Sequence, residues 1–255
     1  MADHIVISTA DSILQIRLNR PEKKNALSVA MYAAMADALE NADGNASVRA
    51  IIIAGTDGCF TSGNDVMDFL QNPPAGSDSP VIRFLQALST ASKPVIAAVT
   101  GVAVGIGVTM LLHCDLVYAA DIATFQLPFV NLGLVPEGAS SMLLPRLMGH
   151  QRASELLLLG EKFDARSAHE IGLVNALVPA NELAGLVQQR AAALAAKPPA
   201  SLRMTKALLK REPESIPARM TEEGRYFSRQ LVSPEAREAM EAFMQRRKPD
   251  FSRFA

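Results

Sequence analysis

The run Leu132–Ser141, LGLVPEGASS, sets one carboxylate, Glu137, between a proline and a glycine. From Ile122 to Ser154 it is the only acidic residue, and Leu132, Leu134, Val135, Met142 and Leu143 around it are apolar. Two chemistries fit. Pro136-Glu137-Gly138 can open a helix, with the acid stabilised by the positive end of the helix dipole. That case predicts an exposed glutamate among polar neighbours. Alternatively, a carboxylate in an apolar pocket has a raised pKa and can take up and return protons near neutral pH. The residues alone leave both open.

Two glycine turns could serve such a base. GVAVGIGVTM follows an apolar run, but a dinucleotide fingerprint starting at Gly105 needs glycine where Met110 stands, and no Gly-Lys-Ser/Thr follows for a phosphate loop. The turn is either a tight strand-to-helix corner or a helix start whose free N–H groups face a developing negative charge. FTSGND, Phe60–Asp65, is a second glycine turn after a strand-like run. It is a simple loop or a second N–H donor, and together the two turns could form an oxyanion hole. The histidines, His4, His113, His150 and His169, show no HExxH or paired spacing, so no metal site is expected and each reads as a surface or core histidine. No G-x-S-x-G elbow supports a serine nucleophile.

The elements that must position these residues alternate between strand and helix. HIVIST and SILQIRL read as strands joined at Asp11-Ser12. NRPEKKNALS is a polar, proline-broken loop, after which Leu27, Met31, Met35 and Leu39 recur at helical spacing. VRAIIIAG and KPVIAAVTG are apolar strands of the kind buried on both faces, and DLVYAA is another strand. TDGCFTSGND reads as a loop leading into VMDFL, and QNPPAGSDSP as a mobile surface loop before a helix around Val81–Ala91. Such alternation indicates βαβ crossovers. From about Leu183 strand-like runs vanish, and the remainder reads as helices, the last opened by Ser233-Pro234-Glu235. An α/β core over residues 1–195 and a helical oligomerisation subdomain over residues 196–255 are expected.

Composition narrows the classes. In 255 residues, 49% hydrophobic, a sizeable core is available. Net charge is -1, with no tryptophan and three tyrosines, which argues against nucleic acid and acidic membrane surfaces as partners. The longest apolar region, Val95–Leu112, is punctuated by glycine and threonine and reads as buried core, not a membrane span. Cys59 and Cys114 make no disulfide framework. With no signal-peptide pattern in MADHIVIST and no SKL-type address in SRFA, a cytoplasmic protein is expected.

These residues and their order resemble the crotonase (enoyl-CoA hydratase/isomerase) superfamily nearly end to end. The resemblance runs through IRLNRPEKKNALS, AIIIAGTDGCFTSGND, KPVIAAVTGVAVGIGVTMLLHCDLVYAADIATFQLP, GLVPEGASSMLLPRLMG, AHEIGLVNALVP and AMEAFMQRRKPDF. It implies an α/β spiral of ββα units with a C-terminal helical trimerisation region, acyl-CoA substrates and a homotrimer or hexamer. Hydratases of the family use two glutamates, at positions held here by Thr109 and Phe129. The combination SGND…AVGIGVTMLL…PFVNLGLVPEGASS instead resembles the peroxisomal-type 3-enoyl-CoA to 2-enoyl-CoA isomerases of fatty-acid β-oxidation, whose single catalytic glutamate falls at Glu137. By the same resemblance the oxyanion donors are the backbone N–H groups of Asn64 and Ile106, whose side chains are expected to matter little. The CoA thioester is expected to contact Lys24, Asn25, Ser62, Gly63, Asn64, Asp65, Val66, Gly105 and Lys248. No cofactor is implied, because coenzyme A is part of the substrate. Weak hydration, dienoyl-CoA isomerisation and a non-catalytic acyl-CoA- or RNA-binding relative are the competing expectations.

Overall fold

The computed structural model describes residues 4–56, 58–72, 79–211, 216–231 and 233–254. Strands β1 (Ile5–Ala10) and β2 (Ile13–Leu18) form an antiparallel hairpin. Asp11 and Ser12 both take positive φ, 50° and 61°, the two-residue turn whose twist matches its flanking strands. Helix α1 (Val29–Gly44) follows, capped by the Ser28 hydroxyl, which accepts the Met31 N–H. Three similar units come next. In the first, β3 (Ala50–Ala54) leads into β4 (Cys59–Thr61), α2 (Val66–Gln71) and α3 (Pro80–Thr90). In the second, β5 (Val95–Val99) leads into β6 (Val102–Val104) and α4 (Ile106–Thr109), extended by a 3-10 turn to His113. In the third, β7 (Leu116–Ala120) leads into β8 (Thr124–Gln126), a loop, α5 (Ser140–Met148) and α6 (His150–Ser154). The chain continues through β9 (Lys162–Asp164), α7 (Ala165–Glu170), β10 (Ala176–Val178), α8 (Ala180–Ala195), α9 (Pro199–Leu209), α10 (Ile216–Leu231) and α11 (Pro234–Met244).

The strands form two sheets. One has the order β1-β2-β3-β5-β7-β10, parallel from β2 onward, and the other the order β4-β6-β8-β9. Strands β3, β5 and β7 of the first sheet are each followed by a short strand of the second, β4, β6 and β8, which is the ββα spiral that the resemblance implies. Alternation along β3 divides the core: Ile51 and Ile53 join the main cluster, while Ala50 and Ile52 face Leu183, Val187 and Ala191 of α8. The hairpin, the apolar strands and the C-terminal helices lie where the periodicity put them. The stretch TDGCFTSGND, residues 56–65, differs: its composition reads as loop, yet Cys59–Thr61 is a strand. Three residues carry no usable period, and β4 exists because β6 pairs with it. Residues 73–78 of the expected surface loop lie outside the described residues.

Helix α9 is fastened to the core by Lys206, whose ammonium reaches Asp115 and the Lys93 carbonyl, both at 2.6 Å. Beyond it, Met220, Phe227, Phe243 and Met244 stand 66–85% exposed on α10 and α11. Among the described residues no helix is long and apolar enough to cross a membrane.

Candidate active site

The second sheet builds the site. Strands β4, β6 and β8 are parallel neighbours, so their C-terminal ends lie side by side, and a loop leaves each one. These loops carry Asn64, Ile106 and Glu137, residues that lie far apart in sequence. Ligand sites at the carboxyl ends of parallel strands follow from this geometry, since the connections that diverge there leave a crevice.

The first loop is held from both sides. Leu27 donates to the Gly63 carbonyl (2.8 Å) and accepts from Asp65 N–H (2.9 Å), and Ser62 N–H donates to the Lys24 carbonyl (2.9 Å). The Arg20 guanidinium binds Asp65 at 2.7 Å and holds that carboxyl below the usual range. Gly63 has φ +92°, and an added Cβ would lie 3.0 Å from the Val104 carbonyl oxygen, so the first and second loops touch where only glycine fits. Pairing through the residues on either side leaves Asn64 N–H without a protein acceptor among the described residues. The Ile106 N–H is likewise free, because it is the first residue of α4 and lies outside the intrahelical ladder. An added Cβ at Gly107 would stand 2.6 Å from Thr61 Cγ2, which shows how closely this helix start is seated on β4.

Glu137 lies on the third loop. Thr109, fully buried on α4, donates its hydroxyl to Glu137 Oε1. Oε2 is buried and has no hydrogen-bond partner among the described residues. Leaving a buried acceptor unpaired costs about 1–3 kcal/mol. Burial raises the Glu137 pKa, and the Thr109 hydrogen bond opposes part of that rise. The helix-start alternative therefore fails: α5 begins only at Ser140, and the carboxyl turns inward. The expected apolar wrapping needs correction, however. Leu132, Leu134, Val135 and Met142 are 41–80% exposed. The surroundings of Glu137 come instead from distant segments: Thr109 of α4, Tyr32 of α1, and Leu85 of α3 against the next residue, Gly138.

Among the expected substrate contacts, Ser62, Gly63, Asn64, Asp65 and Val66 lie together on the first loop and its exit, and Gly105 and Ile106 lie on the second. Lys24 is exposed beside Ser62. Asn25 has no exposure, and its amide accepts from Arg20 N–H and donates to Thr56, Cys59 and Phe60. Its side chain braces the loop from behind. Lys248 lies on the exposed tail, which Arg49 anchors beside the start of β3 by bonding to the Phe251 and Phe254 carbonyls. Phe129 is a buried apolar residue, 7% exposed.

Sequence reasoning missed Tyr32. Fully buried, it donates its hydroxyl to the Asn64 side-chain carbonyl, so that side chain has a specific partner. Burial, and then the negative charge of Glu137, raise the phenol pKa well above its usual value and keep it a donor. The available signal was a lone hydroxyl on the apolar face that carries Met31 and Met35. No group of three or more His, Cys, Asp or Glu suited to a metal ion occurs among the described residues.

Comparison with known proteins adds the relatives. Residues 8–253 match the enoyl-CoA hydratase/isomerase family model. The chain is 37% identical to human enoyl-CoA delta isomerase 2 over 95% of its own length and 64% of that protein's, so it spans less than two thirds of this relative. It is 33% identical to 1,2-epoxyphenylacetyl-CoA isomerase of Escherichia coli (strain K12), covering 99% of both chains. A solved structure from Magnetospirillum magneticum AMB-1, provisionally named an enoyl-CoA hydratase/carnithine racemase, superposes with a TM-score of 0.96 at 44% identity, covering 99% of this chain and 100% of that one. The three names carry different reactions.

Proposed function

The chain belongs to the enoyl-CoA hydratase/isomerase family, and from that premise we propose that it converts 3-enoyl-CoA to trans-2-enoyl-CoA in fatty-acid β-oxidation. The supporting observation is the single half-paired carboxylate. Glu137 has one buried free oxygen, and at a position where the family's hydratases carry a glutamate, Thr109 instead donates a hydrogen bond to it. Phe129, in place of the second family acid, offers no proton chemistry.

In the proposed reaction the Glu137 carboxylate removes a proton from C2 of the 3-enoyl thioester. The electron pair of that C–H bond forms the C2=C3 double bond of the product, and the former C3=C4 pair takes up a proton at C4. Between the two steps the charge rests on the thioester oxygen of a dienolate. The N–H groups of Asn64 and Ile106 receive it there, each lowering the barrier by about 3–4 kcal/mol. The proton on Glu137 returns at C4, which leaves the carboxylate restored. C2 and C4 are ~2.5 Å apart, the distance across two ordinary bonds, so one carboxyl serves both. Water addition would need a second acid–base group.

Lys24, Ser62, Gly63, Asp65, Val66 and Gly105 are proposed to line the CoA thioester, and Lys248 to reach a CoA phosphate from a neighbouring subunit. Homotrimer or hexamer assembly is part of this proposal, supported by the exposed apolar faces of α10 and α11. So is a cytoplasmic setting, with Cys59 and Cys114 free thiols. Coenzyme A enters as part of the substrate, and the proton transfers need no metal or redox group.

Absorbance of the conjugated enoyl thioester tests the reaction. An isomerase makes it appear from 3-enoyl-CoA. A hydratase removes it from 2-enoyl-CoA, and a pure binder does neither. Failure to develop it from 3-enoyl-CoA of any acyl length would overturn the proposal.

A further inference from the structure

The Glu137 loop carries an unusual backbone. Ala139 takes φ +55°, a left-handed conformation that a Cβ disfavours. Ser140 partly braces the turn by donating its N–H (3.0 Å) and hydroxyl (2.6 Å) to the Glu137 carbonyl. The peptide between Glu137 and Ala139 is tied by a residue outside the loop: His113 Nε2 lies 2.8 Å from the Gly138 carbonyl oxygen. A carbonyl only accepts, so the ring carries its proton on Nε2. Burial, with the Lys210 charge beside it, lowers the His113 pKa and so favours the neutral ring, against the opposing pull of the Gly138 carbonyl.

His113 lies one turn beyond Thr109 on the same helical run. Thr109 holds the Glu137 carboxyl, and His113 holds the next residue's peptide. The run is itself anchored from α9: Lys210 donates to the carbonyls of His113 (3.0 Å) and Ser89 (3.2 Å). The Tyr32 phenol, from α1, lies close enough to Glu137 to be influenced by its charge.

We propose that His113 is a positioning residue for the isomerisation, holding Glu137 against Thr109 through the Gly138 carbonyl and linking the proton carrier to the end of α9. This rests on Glu137 being the base. The test compares His113→Leu, which cannot donate, with His113→Gln, which can, in the full-length protein with Glu137→Gln as control. Misplacement of a catalytic group can cost up to about a hundredfold, so His113→Leu is expected to lose roughly tenfold or more in kcat with KM little changed. Its acid limb should move to lower pH as the loosened carboxyl gains solvent. His113→Gln should recover most of the kcat and return the limb. A folded His113→Leu with wild-type kcat and acid limb overturns the inference, as does equal loss in both variants with an unmoved limb, which would indicate packing alone. If His113→Leu does not fold, His113→Asn, too short to reach the carbonyl, should show the same loss, and wild-type kcat there is equally fatal. An inactive Glu137→Gln beside a normal His113→Leu defeats only this inference. An active Glu137→Gln defeats the base assignment itself.

Discussion

Glu137 in the crevice and Glu238 on α11 are both carboxyl groups withdrawn from solvent, and their surroundings drive them in opposite directions. Glu238 is 4% exposed and bonds to Arg247 (2.6 Å), Arg253 (3.1 Å) and the Asp250 N–H (2.8 Å). These contacts, the Arg247 hydrogen bond foremost, hold its carboxyl down to about 2. Glu137 receives one hydroxyl on one oxygen and nothing on the other, and burial raises it. The chain supplies arginines to the acid in its tail and none to the acid in the crevice. A fully paired carboxylate is a fixed charge that ties segments together. A half-paired one loses stability when ionised and becomes a proton carrier.

The largest expected effect falls on the crevice. Glu137→Gln should lower isomerisation by about 10²–10⁴ or more, the usual loss on removing a general base, while circular dichroism and acyl-CoA binding stay native. A folded variant that keeps a tenth of wild-type turnover, with chemistry rate-limiting, would erase the functional half of the contrast.

Next comes the oxyanion hole. Ile106→Pro deletes one N–H, and loss of a single such donor costs about 10²–10³ in kcat. A natively folded variant with normal turnover would show that charge relief does not come from α4.

A smaller loss is expected from Tyr32→Phe, which removes the hydroxyl from the Asn64 side chain. A hydrogen bond worth about 0.5–1.5 kcal/mol corresponds to roughly 2- to 12-fold in rate. An unchanged kcat would return Asn64 to the expectation that its side chain matters little.

The contrast is sharpest in stability against pH. Because Glu137 is raised, the folded state binds more protons than the unfolded one between the ordinary carboxylate value and the raised value, so stability falls as pH rises through that window. Glu137→Gln should therefore melt slightly higher than wild type at neutral pH, with the difference vanishing in acid. Glu238 is depressed, so its contribution is present above the unfolded value of about 4.3 and is lost as pH falls toward about 2. Glu238→Gln should melt lower at neutral pH and converge with wild type in acid. Melting curves that move both variants in the same direction would end the comparison.

Much of this was legible in the residues. The hairpin, the buried strands and the helical C-terminus follow from alternation, apolar runs and helical spacing, which neighbouring residues impose on one another. The isolation of Glu137 and the glycine turns at 63 and 105 are equally local. The second sheet was not legible, because strands of three residues are fixed by partners some forty and twenty residues away. The surroundings of Glu137 were misjudged for a related reason. Its chain neighbours Leu132, Leu134 and Val135 are apolar but exposed, whereas Thr109 bonds to it from α4, Tyr32 of α1 lies within range of its charge, and Leu85 of α3 sits against the next residue, Gly138. The sequence by itself determined which residue types stand ready for proton transfer and charge relief. Only the tertiary structure decided which oxygen of Glu137 is left unpaired, because burial and pairing are set by segments that meet only after the chain has folded.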